Sequence, residues 1–318
     1  MIESPSTFSL DIFDSPVKDH LYFIVKSLGY DPHELLPVIE VAIKRAKELI
    51  RKPEESIFYP QIIMYKIIEE ALRYILGVLS QSEKFASAYK RIRSYSSIFL
   101  VGAGLSFESN MPLSDTLEDL LKFCGVENYD ELRKNKKKCL KFKQEFKKIC
   151  NKKSVGTSHK LIAHNFPKYI LEIICLNWDN LIERAAKELG KVINKINEDV
   201  AATGERYLWK FHGDVDNIKK DNVKGKGGWV FPDEEGYVFN NFSKYVKEKG
   251  LLNSIFTFVI VGYSEKERNI YKKIIETFEK KPKRPTFRVG LDLKRLHDKN
   301  YIVGPADFVL KNILPLQL

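Results

Sequence analysis

After Ser96 the chain alternates short, almost continuously apolar segments with stretches of helical period. Segments of this length without polar alternation are typical of strands buried on both faces, which occur in parallel sheets covered by helices. The sequence therefore predicts a doubly wound α/β domain, in which ligands bind beyond the carboxyl ends of the strands. The five apolar segments read SIFLV, YILEIICL, YLWKF, FTFVIVGY and TFRVGL.

The chain before Ser96 follows a different pattern. Residues 16–94 place apolar side chains at helical spacing, as in Leu36, Ile39 and Ile43, and they contain no catalytic constellation. We predict an all-helical region at 1–94 with an oligomerisation or regulatory role, followed by an α/β domain at 95–318.

Composition excludes several classes of protein. No apolar run approaches the roughly 20 residues that span a bilayer, and the N-terminus lacks a basic segment followed by an apolar core, so we expect a cytoplasmic protein without a membrane partner. The four cysteines include no C-x-x-C pair, which argues against structural zinc. They are Cys124, Cys139, Cys150 and Cys175.

Positive charge is concentrated in the second part of the chain. The first 96 residues carry equal numbers of basic and acidic side chains, so the net charge of +11 lies entirely after Ser96. Much of it falls in residues 133–153, within a predicted helical insertion at about 114–155. Such a segment is either a solvated helix face or a surface that attracts nucleic acid or an anionic cofactor.

The first apolar segment ends on Gly102-Ala103-Gly104. Glycines after a strand allow the backbone to approach a phosphate closely, although the same pattern also forms a plain tight turn. Phe107 stands where a dinucleotide fingerprint would have its third glycine, so this is not an ordinary dehydrogenase loop.

Polar residues also follow the next three apolar segments. Asn177 and Asp179 follow the second, His212 follows the third, and Gly262-Tyr263-Ser264 ends the fourth. Each has a structural alternative, because Asn and Asp cap helices and an isolated histidine is usually structural. Their joint occurrence at the strand ends indicates a site.

This order of motifs, G-A-G-x-S, N-x-D, H-G and G-Y-S, resembles the sirtuin family and its sirtuin-like relatives. The segments GTSHKLIAHNF and YIVGPADFVLKNILPL are similar to further parts of that family. The resemblance covers Ser96 to Leu318, and it implies that NAD is a substrate whose nicotinamide–ribose bond is broken.

The resemblance also implies roles for individual residues. Asn177 and His212 would be catalytic, with His212 as general base, and Asp179 would line the nicotinamide–ribose pocket. The remaining NAD contacts would come from Gly102, Ala103, Gly104, Ser106, Gly262, Tyr263 and Ser264.

The sequence departs from deacylating sirtuins in two segments. Residues 214–250 lack the four zinc cysteines usual after the His-Gly, so we expect a zinc-less branch and no zinc. Their replacement contains Trp229 after several glycines and forms either a lid or a structural hairpin. Gly290 stands where an adenosine-ribose asparagine is common.

These features predict an NAD hydrolase of the sirtuin-like type with water as acceptor. In zinc-less prokaryotic relatives the resemblance implies NAD depletion in anti-phage defence, with a homo-oligomer and an unknown protein or nucleic-acid trigger. The alternatives are an NAD-dependent protein-lysine deacylase and a non-catalytic sensor of NAD or ADP-ribose.

Overall fold

The structure is a computed structural model of the 318-residue chain. It describes residues 10–50, 60–106, 109, 111, 114–196, 208–210, 212–217, 229, 243–247, 249–251, 254–262, 275–278 and 285–318.

The N-terminal region is helical. Leu10–Phe13 forms a 3₁₀ turn that leads into α1, and α2 packs along α3. The apolar faces predicted from the helical period are buried, with Ile39, Ile67 and Ile75 fully inaccessible. These helices are α1 (Asp14–Ser27), α2 (Leu36–Ile50), α3 (Pro60–Leu79) and α4 (Ser82–Tyr95).

The α/β region is built on a parallel sheet. In the described residues the sheet has seven strands in the order β3-β4-β2-β1-β5-β6-β7, and every pairing is parallel. The predicted doubly wound fold is therefore confirmed, and each of the five apolar segments supplies one strand. The strands are β1 (Ser97–Val101), β2 (Ile170–Cys175), β3 (Lys195–Ile196), β4 (Leu208–Lys210), β5 (Thr257–Val261), β6 (Thr286–Gly290) and β7 (Tyr301–Val303).

Both faces of the sheet are buried, which explains why the strands lack polar alternation. The remaining helices are α5 (Ser114–Phe123), α6 (Tyr129–Lys134), α7 (Lys136–Lys152), α8 (Thr157–Asn165), α9 (Leu181–Glu188) and α10 (Ala306–Ile313). Phe99 and Val101 of β1 face the cluster that contains α4, α8, α9 and α10, while Ile98 and Leu100 face a second cluster with Phe258.

Helices α5, α6 and α7 follow β1 and together occupy the segment predicted as a helical insertion. Asn128 and Asn135 begin α6 and α7, and each side chain accepts a hydrogen bond from the backbone N–H three residues later. Such caps satisfy donors that a helix N-terminus leaves free. Among the described helices, none is long and apolar enough to cross a membrane.

The helical region is joined to the sheet at its edge strand, β7. Gln81 Nε2 donates to Val303 O and Gln81 Oε1 accepts from Val303 N, both at 2.8 Å. One side-chain amide thus makes the pair of hydrogen bonds that a neighbouring strand would make. Lys84 Nζ donates to the carbonyl oxygens of Leu296, Asp298 and Tyr301 at 2.6–2.8 Å.

We expect Gln81→Met to lower stability by about 3 kcal/mol, because it leaves the buried N–H and C=O of Val303 without partners. The free energy of unfolding in urea measures this. Gln61→Met is the matched control, since Gln61 lies exposed on α3. Equal stability of the two variants would show that the amide does not hold the edge strand.

Candidate functional site

Backbone hydrogen bonds between the glycine loop and the end of β5 continue the pairing of β1 with β5. Gly102 N donates to Val261 O and Gly104 N donates to Gly262 O, each at 2.9 Å. The 3₁₀ helix Ala103–Ser106 then turns the chain away from the sheet. Two of the loop's N–H groups are therefore used inside the protein.

Gly104 and Gly262 lie so close together that neither position has room for a side chain. A Cβ on Gly104 would lie 2.7 Å from Gly262 Cα, and one on Gly262 would lie 2.3 Å from Leu105 N. Gly262 also has a φ of +69°, a left-handed conformation that favours glycine. The structure thus gives both glycines a role in the turn itself, while their contact with a pyrophosphate stays a prediction.

Behind this loop lies a cluster of buried polar side chains. Ser106 Oγ donates to Asp179 Oδ2 at 3.1 Å and lies 3.1 Å from His159 Nε2. Asn177 Nδ2 donates to Ser106 Oγ at 3.3 Å and to Gly102 O at 3.2 Å. The strand ends of β1 and β2 and the helix α8 therefore meet at one hydroxyl group.

Members of the cluster differ in their access to solvent. Ser106, Asp179 and His159 are buried, whereas Asn177, Ala103 and Gly104 are only partly buried. Asp179 Oδ1 accepts from Leu181 N at 3.1 Å, which fixes the start of α9. The groups that a ligand can reach are thus the loop backbone and the Asn177 amide, and the buried residues orient them.

Two histidines at the site are neutral at neutral pH. Burial lowers the pKa of His159 to about 4, and burial likewise lowers the pKa of His212 to about 4. His159 Nδ1 is buried without a hydrogen-bond partner. His212 lies in the loop after β4 and is 5% exposed.

A buried lysine supports the loop after β2. Lys210, the last residue of β4, donates to Asp179 O and lies 3.8 Å from Cys175 Sγ and 3.7 Å from Glu183 Oε1. Burial alone lowers the pKa of Lys210, but the Cys175 sulfur and the Glu183 and Asp214 carboxylates raise it more, and the ammonium stays charged. The loop therefore rests on a fixed positive charge.

The loop that carries His212 is also linked to Glu183, through Lys195. Lys195 on β3 pairs with Asp214, with Asp216 at 3.1 Å and with Glu183 at 3.7 Å. Val215 N donates to Trp178 O at 2.9 Å, which joins the loops after β2 and β4 directly. The residues predicted to be catalytic thus lie on two connected loops.

An aromatic cluster fixes α7 against these loops. Trp178 and Trp229 stack with ring centroids 4.9 Å apart, and Phe142 and Phe146 of α7 pack edge-on against both. Trp229 Nε1 donates to Asp214 O at 2.9 Å. Trp229 is therefore a buried packing residue beside the site.

Sequence reasoning missed two residues of this site. His159 lies in a segment noted only for its resemblance to the sirtuins, although a histidine at the start of a short apolar helix was a usable signal. Lys210 was visible as a lysine inside an apolar strand, a pattern that demands a buried partner for its charge.

Two of the predicted contacts, Tyr263 and Ser264, lie outside the described residues, as does most of 214–250. Within the part of the chain that is described, no group of three or more His, Cys, Asp or Glu side chains is arranged to hold a metal. A Cβ on Gly290 would lie 2.2 Å from the Tyr301 hydroxyl, so any other residue at this position would require the Tyr301 side chain to shift.

Residues 171–291 match the family model described as "SIR2-like domain". This segment is similar to SIR2-like domains. The resemblance seen in the motifs is thereby confirmed, and the matched segment spans β2 to β6, including Asn177, Asp179 and His212. No curated protein matches the chain.

Solved structures similar to the chain include several Sir2 proteins. A Sir2 homolog–NAD complex is 17% identical with a TM-score of 0.48, over 72% of this chain and 92% of that chain. A structure described as the structural basis for the mechanism and regulation of Sir2 enzymes is 16% identical with a TM-score of 0.47, over 73% of this chain and 96% of that chain. A mutant Sir2 homologue with ADP-ribose is 16% identical with a TM-score of 0.48, over 72% and 94%.

We expect Gly104→Ala to destabilise the fold, because its Cβ would meet the Gly262 backbone, which cannot move without unpairing β1 from β5. The melting temperature should fall by roughly 2 °C or more, since each 1 kcal/mol shifts the melting temperature of a large domain by about 2–4 °C. Gly190→Ala is the control: it has a positive φ but open space around its Cβ. A smaller loss at Gly104 than at Gly190 would contradict the steric argument.

Acidification should destabilise the α/β domain through His159 and His212. Their pKa values lie near 4 in the folded chain and at 6.5 when unperturbed, so the unfolded state binds more protons between these values. Stability is therefore lost as the pH falls through this window, by about 2 kcal/mol per histidine between about pH 7 and 5.

Thermal melts across this range test the effect. His159→Gln should show a weaker pH dependence of Tm than the wild type, whereas the exposed control His297→Gln should follow the wild type. Parallel curves for wild type and His159→Gln would contradict it.

Proposed function

We propose that the SIR2-like domain hydrolyses NAD to nicotinamide and ADP-ribose. The observation that carries the proposal is the position of Asn177. Its amide Nδ2 is fixed by Gly102 O and Ser106 Oγ, yet the residue stays accessible at the carboxyl ends of β1 and β2. An amide held in this way is suited to orient ribose hydroxyls or an attacking water.

The glycine loop supports binding of the dinucleotide. Its partly buried residues, Ala103 and Gly104, directly follow Gly102, whose carbonyl oxygen accepts a hydrogen bond from the Asn177 amide. The resemblance to sirtuins implies that these residues contact the phosphates. Gly102 and Ser106 support the loop indirectly in this proposal. Gly102 donates its N–H to β5, and Ser106 is buried in the polar cluster. Asp179 keeps the loop in place and adds negative charge near the cationic nicotinamide ring.

Cleavage breaks the bond between C1′ of the ribose and the nicotinamide nitrogen, which takes the electron pair. Water attacks C1′ and loses a proton, and His212 accepts that proton. Its buried imidazole is unprotonated across the neutral range, as a general base must be. His159 has a different role, because its Nε2 contacts Ser106 and orients the cluster.

Incubation with NAD and measurement of free nicotinamide tests the proposal. We expect release without any acylated peptide, a loss of about 100-fold or more in His212→Ala, and an unchanged rate in the exposed control His297→Ala. Asn177→Ala should bind NAD within about a few-fold of wild type while its cleavage rate collapses, because its amide acts mainly in the transition state.

The other outcomes separate the alternatives. Release that requires an acetyl-lysine peptide would identify a deacylase, and binding without release in the wild type would identify a sensor. Full activity of His212→Ala would contradict the role of His212. Calorimetry with NAD on the same variants distinguishes lost binding from lost chemistry.

A further inference from the structure

The outer face of α7 carries a row of lysines. Lys137, Lys141, Lys148 and Lys152 recur at intervals of four and seven residues, which places them on one side of the helix, and all four are exposed. At 1.5 Å per residue the row is about 22 Å long. We call these four residues the lysine row.

The orientation of the lysine row is fixed by the opposite face of α7. Phe142 and Phe146 are buried against Trp178 and Trp229, and Cys150 is fully buried. Arg184 of α9 donates to Cys150 O and Lys153 O at 2.9 Å, which anchors the end of the helix. The lysine row therefore points away from the domain in a defined geometry.

The charge of the lysine row is largely uncompensated. Glu145 is the only acidic residue of α7 and pairs with Lys148 at 2.7 Å. Across the described part of the chain, Lys137 and Lys152 form no ion pair, and neither do Lys134 and Lys136, which continue the positive surface toward the helix start. A row of this kind favours a polyanion.

An exposed aromatic ring lies beside the lysine row. Phe123 at the end of α5 is 60% exposed, and Lys141 Nζ lies 4.4 Å from its ring centroid. Lys141 Nζ also donates to Phe123 O at 3.3 Å, so the ring and the ammonium are held together. Exposed aromatic rings next to cations are the surfaces on which unpaired bases stack.

We propose that the lysine row and Phe123 bind single-stranded nucleic acid, with the lysines on phosphates and one base stacked on Phe123. The row, about 22 Å long, offers one ammonium group to each of four phosphates along one strand. A membrane surface fits less well, because the apolar face of α7 is already buried in the domain. The proposal is independent of NAD cleavage.

Fluorescence anisotropy with a labelled oligothymidylate of roughly 20 nucleotides tests this, since single modules occupy about 4–16 nucleotides. Replacing the four lysines of the row by glutamine should weaken binding by at least about 100-fold. It should also reduce the slope of log K against log salt by about 3, the value expected for four phosphate contacts to a single strand.

Phe123→Ala should weaken binding by about 5- to 100-fold without changing the salt slope, because stacking releases no counterions. The charge-matched control replaces four exposed lysines elsewhere, Lys26, Lys66, Lys90 and Lys187, by glutamine and should bind as the wild type does. All replaced side chains are exposed, so melting temperatures should stay close to that of the wild type.

Three outcomes would overturn the proposal. An equal loss in the charge-matched control would show that net charge alone attracts the oligonucleotide. Tighter binding to a duplex of the same length would exclude a single strand as the ligand. Binding to phosphatidylserine vesicles without binding to the oligothymidylate would identify the surface as a membrane contact.

Discussion

A fully buried ammonium group must find its partners inside the protein, and the geometry of the site depends on how Lys210 does so. Lys210 lies at the end of β4, and its Nζ reaches the Asp179 carbonyl of the neighbouring loop and the Glu183 carboxylate of α9. An uncharged residue in place of Lys210 would leave the Asp179 carbonyl and the buried Glu183 carboxylate without this ammonium group, which costs more than the contacts themselves contribute. The loop of Asn177 and the strand that leads to His212 are consequently held in one arrangement.

Five strands and the N-terminal helices were predictable because burial of their apolar side chains decides their conformation. The short strands β3 and β7 were not predicted, because two or three residues carry too little pattern. The seven-stranded order was not predictable either, since pairing depends on contacts between segments far apart in sequence. The strand-end rule located Asn177, Asp179 and His212, but it did not reveal that Ser106 is the buried group that joins Asn177 and Asp179. It also missed His159, which comes from a helix and not from a strand end.

The glycines illustrate a different limit of sequence reasoning. Gly102 and Gly104 were predicted as ligand contacts because glycine permits a close approach, and Gly262 because of the resemblance to sirtuins. The sequence cannot tell whether the approaching group is a ligand or another part of the chain. Here Gly104 and Gly262 approach each other, and that contact would be needed whether or not the loop binds a phosphate.

Gln81 belongs to the helical region, before the domain boundary that the sequence suggested near residue 95. Its amide nevertheless completes the hydrogen bonding of the sheet at β7. A fragment that begins at that boundary would present an unpaired strand edge, and its apolar flank, including Tyr301 and Val303, would lose its cover. Such a fragment would tend to associate with its own copies through that edge. An oligomer observed for the isolated α/β region could then result from the exposed edge of β7 and would not represent the native assembly. The number of subunits must therefore be measured on the whole chain.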